Sequence, residues 1–112
     1  MSPHTEKYDQ ARRSALGILT HLTEGKLSAL VAARKLVSYR FTLIGDALDE
    51  DWRTFVGIES ETDDLPTGEE RKHWSAEALA EKDVEIRKAE ELYRPQALEA
   101  AVRLIQRYEK AG

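Results

Sequence analysis

The chain has 112 residues, with 21 Asp and Glu against 17 Lys and Arg, which gives a net charge of −4. This length allows one hydrophobic core and leaves no room for a second, so we expect a single domain over residues 1–112. The absence of cysteine excludes disulfides, thiolate nucleophiles and Cys-containing metal sites, and it fits a reducing compartment.

No apolar run approaches the ~18–20 residues that a membrane span needs, so we expect no membrane partner. The start, Met1–Glu6, lacks the basic and apolar regions of a signal peptide. Together with the missing cysteines, this predicts a cytoplasmic protein.

The charges are unevenly placed: residues 1–44 carry a net +4, residues 45–70 a net −9 and residues 71–112 a net +1. An acidic surface of this kind attracts a basic protein partner. It argues against nucleic-acid binding, because phosphate contacts need clustered Lys and Arg. Basic pairs such as Arg34–Lys35 are typical of the solvated side of a helix.

A helical hairpin is predicted over about residues 5–44. Apolar residues recur at spacings of three and four from residue 5 to 24, which indicates an amphipathic helix that stops at Gly25. A second helix is predicted from Ser28, a suitable N-cap, and its apolar face is expected to continue towards Phe41 and Ile44. The short connection between them favours an antiparallel pair.

An acidic short helix and a loop are predicted over about residues 45–74. Between Gly45 and Gly57, several acids precede Trp52. The positive end of a helix dipole favours acids at such a position, and the helix is expected to end before Gly57. The following run, Glu59–Gly68, lacks helical periodicity and contains Pro and Gly, so it predicts a loop.

Helix is predicted again over about residues 75–110. Asp83–Arg87 and Glu90–Arg94 have the i,i+4 spacing of exposed ion pairs. Pro95 lacks an amide hydrogen and should kink or divide this segment. The fold class is therefore all-α, a bundle of about four helices with a structured acidic loop insertion between helices two and three.

Catalytic signatures are missing, so no catalytic residue is assigned and the sequence favours a non-enzymatic protein. There is no Gly-x-Ser-x-Gly elbow, and His4, His21 and His73 are far apart along the chain. No cofactor is expected, because Gly68 is followed by two glutamates that would repel a phosphate.

The acidic loop supplies the only candidate metal ligands. Hard cations bind oxygen, and the candidates are Glu61, Asp63, Asp64 and His73. Their spacing does not match an EF-hand. A solvated acidic loop is the simpler interpretation of the same residues.

Aromatic residues accompany the acids, a combination that suits a protein-binding surface. The predicted partner-binding residues are Asp46, Asp49, Glu50, Asp51, Trp52, Phe55 and Trp74. The alternative interpretation places these rings in the core, where large aromatic side chains are usually buried.

The run Gly57–Gly68 followed by Arg71–Trp74 resembles a group of short, uncharacterised bacterial helical proteins. These proteins pair a Ser-Glu-Thr-Asp-x-Leu-Pro loop, here Ser60–Pro66, with a helical hairpin. In size and acidic composition the chain also resembles the immunity proteins that neutralise bacterial toxins.

The loop has two interpretations, a locally bonded staple or a binding surface. Its Ser, Thr and Asp side chains can accept hydrogen bonds from nearby backbone amides. Arg71 and Lys72 are the nearest cations and are predicted to pair with Glu61 or Asp63.

Three functional hypotheses follow. The first is a non-enzymatic, immunity-like or regulatory protein that binds a basic partner through its acidic segment. The second is a metal- or small-ligand-binding protein, or an enzyme, that uses the acidic loop and His73. The third is a self-associating structural protein in which the basic hairpin of one copy meets the acidic segment of another.

Overall fold

The computed structural model describes residues 3–43 and 49–111, and every regular element within them is helical. The elements are α1 (Pro3–Thr23), α2 (Ala29–Val37), α3 (Arg40–Leu43), α4 (Glu50–Glu61), a 3-10 helix (Glu69–His73) and α5 (Ala76–Ala111). The predicted all-α class is confirmed. The described residues form five α-helices, where about four were predicted.

The connection between α1 and α2 contains the stop and start signals predicted from the sequence. Gly25 has a φ of 78°, a left-handed conformation that glycine adopts without a side-chain clash. Ser28 is the N-cap of α2, and its hydroxyl accepts a hydrogen bond from the Val31 amide at 3.1 Å. The two helices pack against each other.

The first two amides of α2 are bonded by a side chain of α5. The Ala29 amide donates to Oε2 of Glu90 at 2.7 Å, and the Leu30 amide donates to Oε1 at 3.2 Å. A carboxylate here also complements the dipole of α2. Arg94 Nη1 lies 3.1 Å from Oε2 of Glu90, so the predicted Glu90–Arg94 pair forms and steadies this attachment.

The second predicted helix ends earlier than expected. The Ser38 hydroxyl donates to the Lys35 carbonyl at 2.7 Å, a local bond that competes with the helical ladder. The short α3 follows. Phe41 was expected to continue the apolar face but is 83% exposed, with the Arg40 guanidinium 4.5 Å from the ring centre. Ile44 lies outside the described residues.

The short acidic helix ends later than predicted. α4 continues through Gly57 and ends at Glu61. A glycine inside a helix costs about 1 kcal/mol relative to alanine, and burial of Phe55 and Ile58 on either side of it offsets that cost. The prediction of a loop from Glu59 onwards was therefore wrong for its first three residues.

A single helix of 36 residues, α5, ends the chain. Pro95 does not divide it. Pro95 is exposed, so the Glu91 carbonyl that loses its helical donor lies on the solvent side, where water can bond it. The buried residues of α5 all follow the proline: Ala97, Ala100, Ala101, Leu104 and Tyr108.

The core combines small and large side chains. Buried alanines from α1, α2 and α5 let these helices approach closely, and leucines with Trp52 and Phe55 fill the remaining space. α5 packs on α1 and α4, and α2 packs on α4. The longest dimension of the molecule is 52 Å, close to the ~54 Å length of a helix the size of α5.

Among the described helices, none combines the length and the apolar character needed to cross a membrane.

Candidate partner-binding surface

The acidic start of α4 is organised by Asp49, the N-cap. Its Oδ1 accepts hydrogen bonds from the amides of Asp51 at 3.0 Å and Trp52 at 3.1 Å. Arg107 of α5 donates to both carboxylate oxygens. The Arg107 bond, followed by the two amide bonds, lowers the pKa of Asp49 against the opposing effect of burial.

Asp51 is the second carboxylate at this end of α4, and it is only 9% exposed. Its Oδ1 lies 2.9 Å from Nε of Arg103, and its Oδ2 lies 3.1 Å from Nη2 of Arg107. We call Asp49, Asp51, Arg103 and Arg107 the α4–α5 ion network. Within it, two negative charges meet two positive charges of the same chain.

Trp52 and Phe55 lie beneath this network in the core. Trp52 is 1% exposed and Phe55 is fully buried. The indole Nε1 of Trp52 donates to the Tyr108 hydroxyl at 2.6 Å. Burial is the main reason that the pKa of Tyr108 is raised.

The predicted partner-binding residues do not form one surface. Asp46 lies outside the described residues. Asp49, Asp51, Trp52 and Phe55 bond or pack within the molecule. Glu50 is exposed at the start of α4, and Trp74 is 36% exposed at the end of the 3-10 helix.

A second acidic region, residues 59–85, carries a net charge of −7. We call its exposed acids together with Trp74 the acidic surface. These acids are Glu61, Asp63, Asp64, Glu69, Glu70, Glu77, Glu81 and Glu85. They come from the end of α4, the loop after it, the 3-10 helix and the first turns of α5.

The loop after α4 is held by a cation of α2. Nη2 of Arg34 donates to the carbonyls of Thr62 and Leu65, and Nη1 lies 3.0 Å from Oε1 of Glu70. The Thr62 hydroxyl donates to the Ile58 carbonyl at 2.6 Å. This loop is therefore fixed by hydrogen bonds from its backbone carbonyls to a guanidinium that is distant in the sequence. Among the residues that the structure describes, its Ser and Asp side chains do not fix it by accepting hydrogen bonds from nearby amides.

The pairings predicted for Arg71 and Lys72 were wrong. Arg71 bonds to both carboxylate oxygens of Asp83 at 2.7 and 3.1 Å, which also takes Asp83 away from its predicted partner Arg87. The Arg71 bond lowers the pKa of Asp83. Nζ of Lys72 lies 3.1 Å from Oε2 of Glu69. Arg71 therefore joins the loop and the 3-10 helix to α5, because its Nη1 also donates to the Pro66 carbonyl at 3.0 Å, whereas Lys72 bonds within the 3-10 helix.

The four candidate metal ligands are not brought together. The part of the chain that the structure describes contains no group of three or more His, Asp or Glu side chains placed to hold a metal ion. Glu61 instead accepts a hydrogen bond from the Tyr93 hydroxyl, which raises the pKa of that tyrosine. Asp63, Asp64 and His73 are exposed.

Sequence reasoning missed the arginines that organise both acidic regions. Arg34 was interpreted as part of the solvated side of a helix, and Arg103 and Arg107 were not singled out. The i,i+4 spacing of Arg103 and Arg107 near the end of α5 places both on one side of that helix. Nothing local to Arg34 distinguishes it from its neighbour Lys35.

No family model, curated protein or solved structure matches this chain.

Proposed function

We propose that this chain is a small non-enzymatic protein that binds a basic protein partner through the acidic surface, as an immunity protein or a small regulator does. The observation that carries the proposal is the net charge of −7 over residues 59–85, with eight of its ten acids exposed and Trp74 among them. A cytoplasmic location is part of the proposal.

The charge of this surface supports a basic partner because its acids outnumber the cations beside them. Four cations pair with acids of this region: Arg34 with Glu70, Arg71 with Asp83, Lys72 with Glu69 and Lys82 with Glu85. Asp63 and Asp64 form no ion pair within the described residues. Unpaired exposed carboxylates keep their field in solvent, where it speeds the encounter with a positively charged protein.

Trp74 supports the proposal from the apolar side. Tryptophan is enriched among the residues that contribute most to protein interfaces, because a large ring loses much water-exposed area on binding. Trp74 lies between the 3-10 helix and α5, four residues after Glu70 and three residues before Glu77, which are both exposed. The exposed acids that attract a basic partner and the aromatic ring that loses water-exposed area on binding are therefore close together in the sequence.

The position of the proposed surface differs from the one that the sequence indicated. The acids at the start of α4 meet Arg103 and Arg107, so their field is largely cancelled within the molecule. The acids after α4 have fewer arginine and lysine partners in proportion to their number. This difference replaces Asp49–Asp51 by Asp63 and Asp64 among the proposed binding residues and keeps Trp74.

The test begins with capture of the partner from native cell extract, followed by calorimetric titration with the purified partner at low and high salt. The double variant Asp63→Lys/Asp64→Lys should weaken binding at least about tenfold, because it reverses two exposed charges. Trp74→Ala should weaken it by about thirtyfold or more, as expected for an interfacial tryptophan. The matched control is Glu6→Lys/Glu24→Lys, which makes the same charge change on and just after α1.

The proposal fails if both variants of the acidic surface bind as the wild type does, or if high salt leaves the affinity unchanged. It also fails if the control weakens binding as much as the Asp63/Asp64 variant, because net charge alone would then explain the effect. Circular dichroism of each variant shows whether the helices are intact.

A further inference from the structure

We propose that two copies of this chain pair through the solvent side of α5, with their α5 helices antiparallel and Leu92 of one copy opposite Pro95 of the other. The observations are an apolar stripe on the solvent side of α5 and two charges placed symmetrically about its centre.

The apolar stripe lies opposite the core. Val84, Leu92 and Val102 are 40%, 68% and 47% exposed, and Pro95 is exposed between them. At 100° per residue these four positions lie on one side of α5, opposite the side that carries its buried residues. Exposed apolar residues are ordinary when scattered singly, but here they follow one line along the longest helix.

Lys88 and Glu99 are placed symmetrically about the centre of this line, and Glu91, also exposed on this side, lies opposite Gln96 of the other copy in the antiparallel arrangement. Lys88 precedes Leu92 by four residues, and Glu99 follows Pro95 by four residues, so both fall on the same side of α5 as the apolar stripe. Both side chains are exposed. Within the described residues neither takes part in an ion pair.

The symmetry of this pattern indicates that the partner is a second copy of the chain and that the two α5 helices run antiparallel. A two-fold axis between Leu92 and Pro95 brings Lys88 of each copy opposite Glu99 of the other, so two ion pairs flank the apolar centre. A parallel arrangement would place Lys88 opposite Lys88 and Glu99 opposite Glu99, which is repulsive. A closed, self-complementary pair of this kind is the commonest form of oligomer.

The proposed contact is small, because each copy contributes four apolar side chains. Interfaces at the low end of the size range form weak, reversible complexes. We therefore expect a concentration-dependent equilibrium between monomer and dimer that shifts towards monomer as salt screens the ion pairs.

This pairing differs from self-association of the basic hairpin with the acidic segment, because both contacting surfaces belong to α5. It does not depend on the proposed binding of a basic partner, since Asp63, Asp64 and Trp74 lie outside the apolar stripe.

The test measures the dimer dissociation constant by sedimentation equilibrium over a wide range of protein concentrations. Lys88→Glu and Glu99→Lys should each raise this constant about tenfold, because each replaces two attractive contacts by two repulsive ones. An equimolar mixture of the two single variants should form a heterodimer with the wild-type constant, since every contact is then attractive. The double variant Lys88→Glu/Glu99→Lys should also recover the wild-type constant.

Lys35→Glu is the matched control, because it makes the same charge change at an exposed position of α2 and should leave the constant unchanged. Leu92→Ser should raise the constant more than either charge variant. A wild type that stays monomeric at the highest concentration overturns the proposal. So does a dimer that Leu92→Ser leaves intact, or a mixture of the two single variants that does not recover association.

Discussion

Asp49–Asp51 and Asp63–Asp64 lie at opposite ends of α4 and face different surroundings. The first pair of carboxylates, Asp49 and Asp51, meets two arginines of α5 and caps a helix whose next residues enter the core. The second pair is exposed and lies on a loop fixed by Arg34 through backbone carbonyls. Acidic composition alone therefore does not identify a binding surface, because the location of the cations decides which acids remain available.

The two tryptophans provide the largest test of this comparison. Trp52→Ala should lower the free energy of unfolding by about 3–5 kcal/mol, because it leaves a cavity and removes the hydrogen bond to Tyr108. Trp74→Ala should lower it by less than about 1 kcal/mol, since that ring is partly in solvent. Urea denaturation followed by circular dichroism measures both. Equal losses would contradict the assignment of Trp52 to the core and Trp74 to the surface.

Arg34 provides the next test, because it holds the loop that carries the exposed acids. Arg34→Met keeps the length of the side chain but removes its bonds to the carbonyls of Thr62 and Leu65. We expect a loss of about 2–3 kcal/mol and faster proteolysis of the loop. The neighbouring variant Lys35→Met is the control and should change stability by less than about 0.5 kcal/mol. Unchanged proteolysis of the Arg34 variant would show that the loop is fixed by other contacts.

A smaller effect is expected at Asp51. Asp51→Asn keeps the shape of the side chain but weakens its bonds to Arg103 and Arg107, and should cost about 1–2 kcal/mol. Asp63→Asn makes the same chemical change in the loop and should cost less than about 0.5 kcal/mol. Thermal unfolding of the two variants compares the two acidic regions directly. A larger loss of stability for Asp63→Asn than for Asp51→Asn would contradict the assignment of Asp51 to the α4–α5 ion network and of Asp63 to the exposed acidic surface.

The smallest predicted effect is a change in acid stability at Asp49. Because the pKa of Asp49 is lower in the folded chain than its ordinary value of 3.8, its contribution is complete above that pH. The contribution is lost as the pH falls through the folded pKa. Asparagine also caps helices well, so Asp49→Asn should keep the cap and lose only the charge.

Unfolding of Asp49→Asn between about pH 5 and pH 2 should therefore depend less on pH than unfolding of the wild type. The difference between the two proteins should be largest at pH 5 and should shrink towards pH 2. A constant difference over this range would mean that the charge of Asp49 does not stabilise the fold.

Local signals in the sequence predicted the parts of the fold that local interactions decide. The left-handed Gly25 just after α1, the cap at Ser28 and the Glu90–Arg94 pair all depend on residues at most a few positions apart, and all are present. The helical class followed from apolar spacing for the same reason.

Apart from the early end of α2 at the local bond of Ser38, the errors concern contacts between distant positions. Asp51 and Arg103 are separated by 52 positions, and Arg34 and Leu65 by 31, so no local pattern joins them. The end of α4 was misplaced because burial of Phe55 and Ile58 outweighs the low helix propensity of Gly57. The burial of a side chain depends on distant parts of the chain. The helix propensity of a single residue does not take these parts into account.

The bonds from Glu90 to the start of α2 have a consequence for the order in which the molecule opens. The Ala29 and Leu30 amides are protected by a carboxylate about sixty residues later in the chain, whereas the Val31 amide is protected by its neighbour Ser28. Hydrogen exchange at Ala29 and Leu30 therefore requires α5 to separate from α2, even while α2 itself stays helical. Two backbone amides of one helix thus report how firmly another helix is attached.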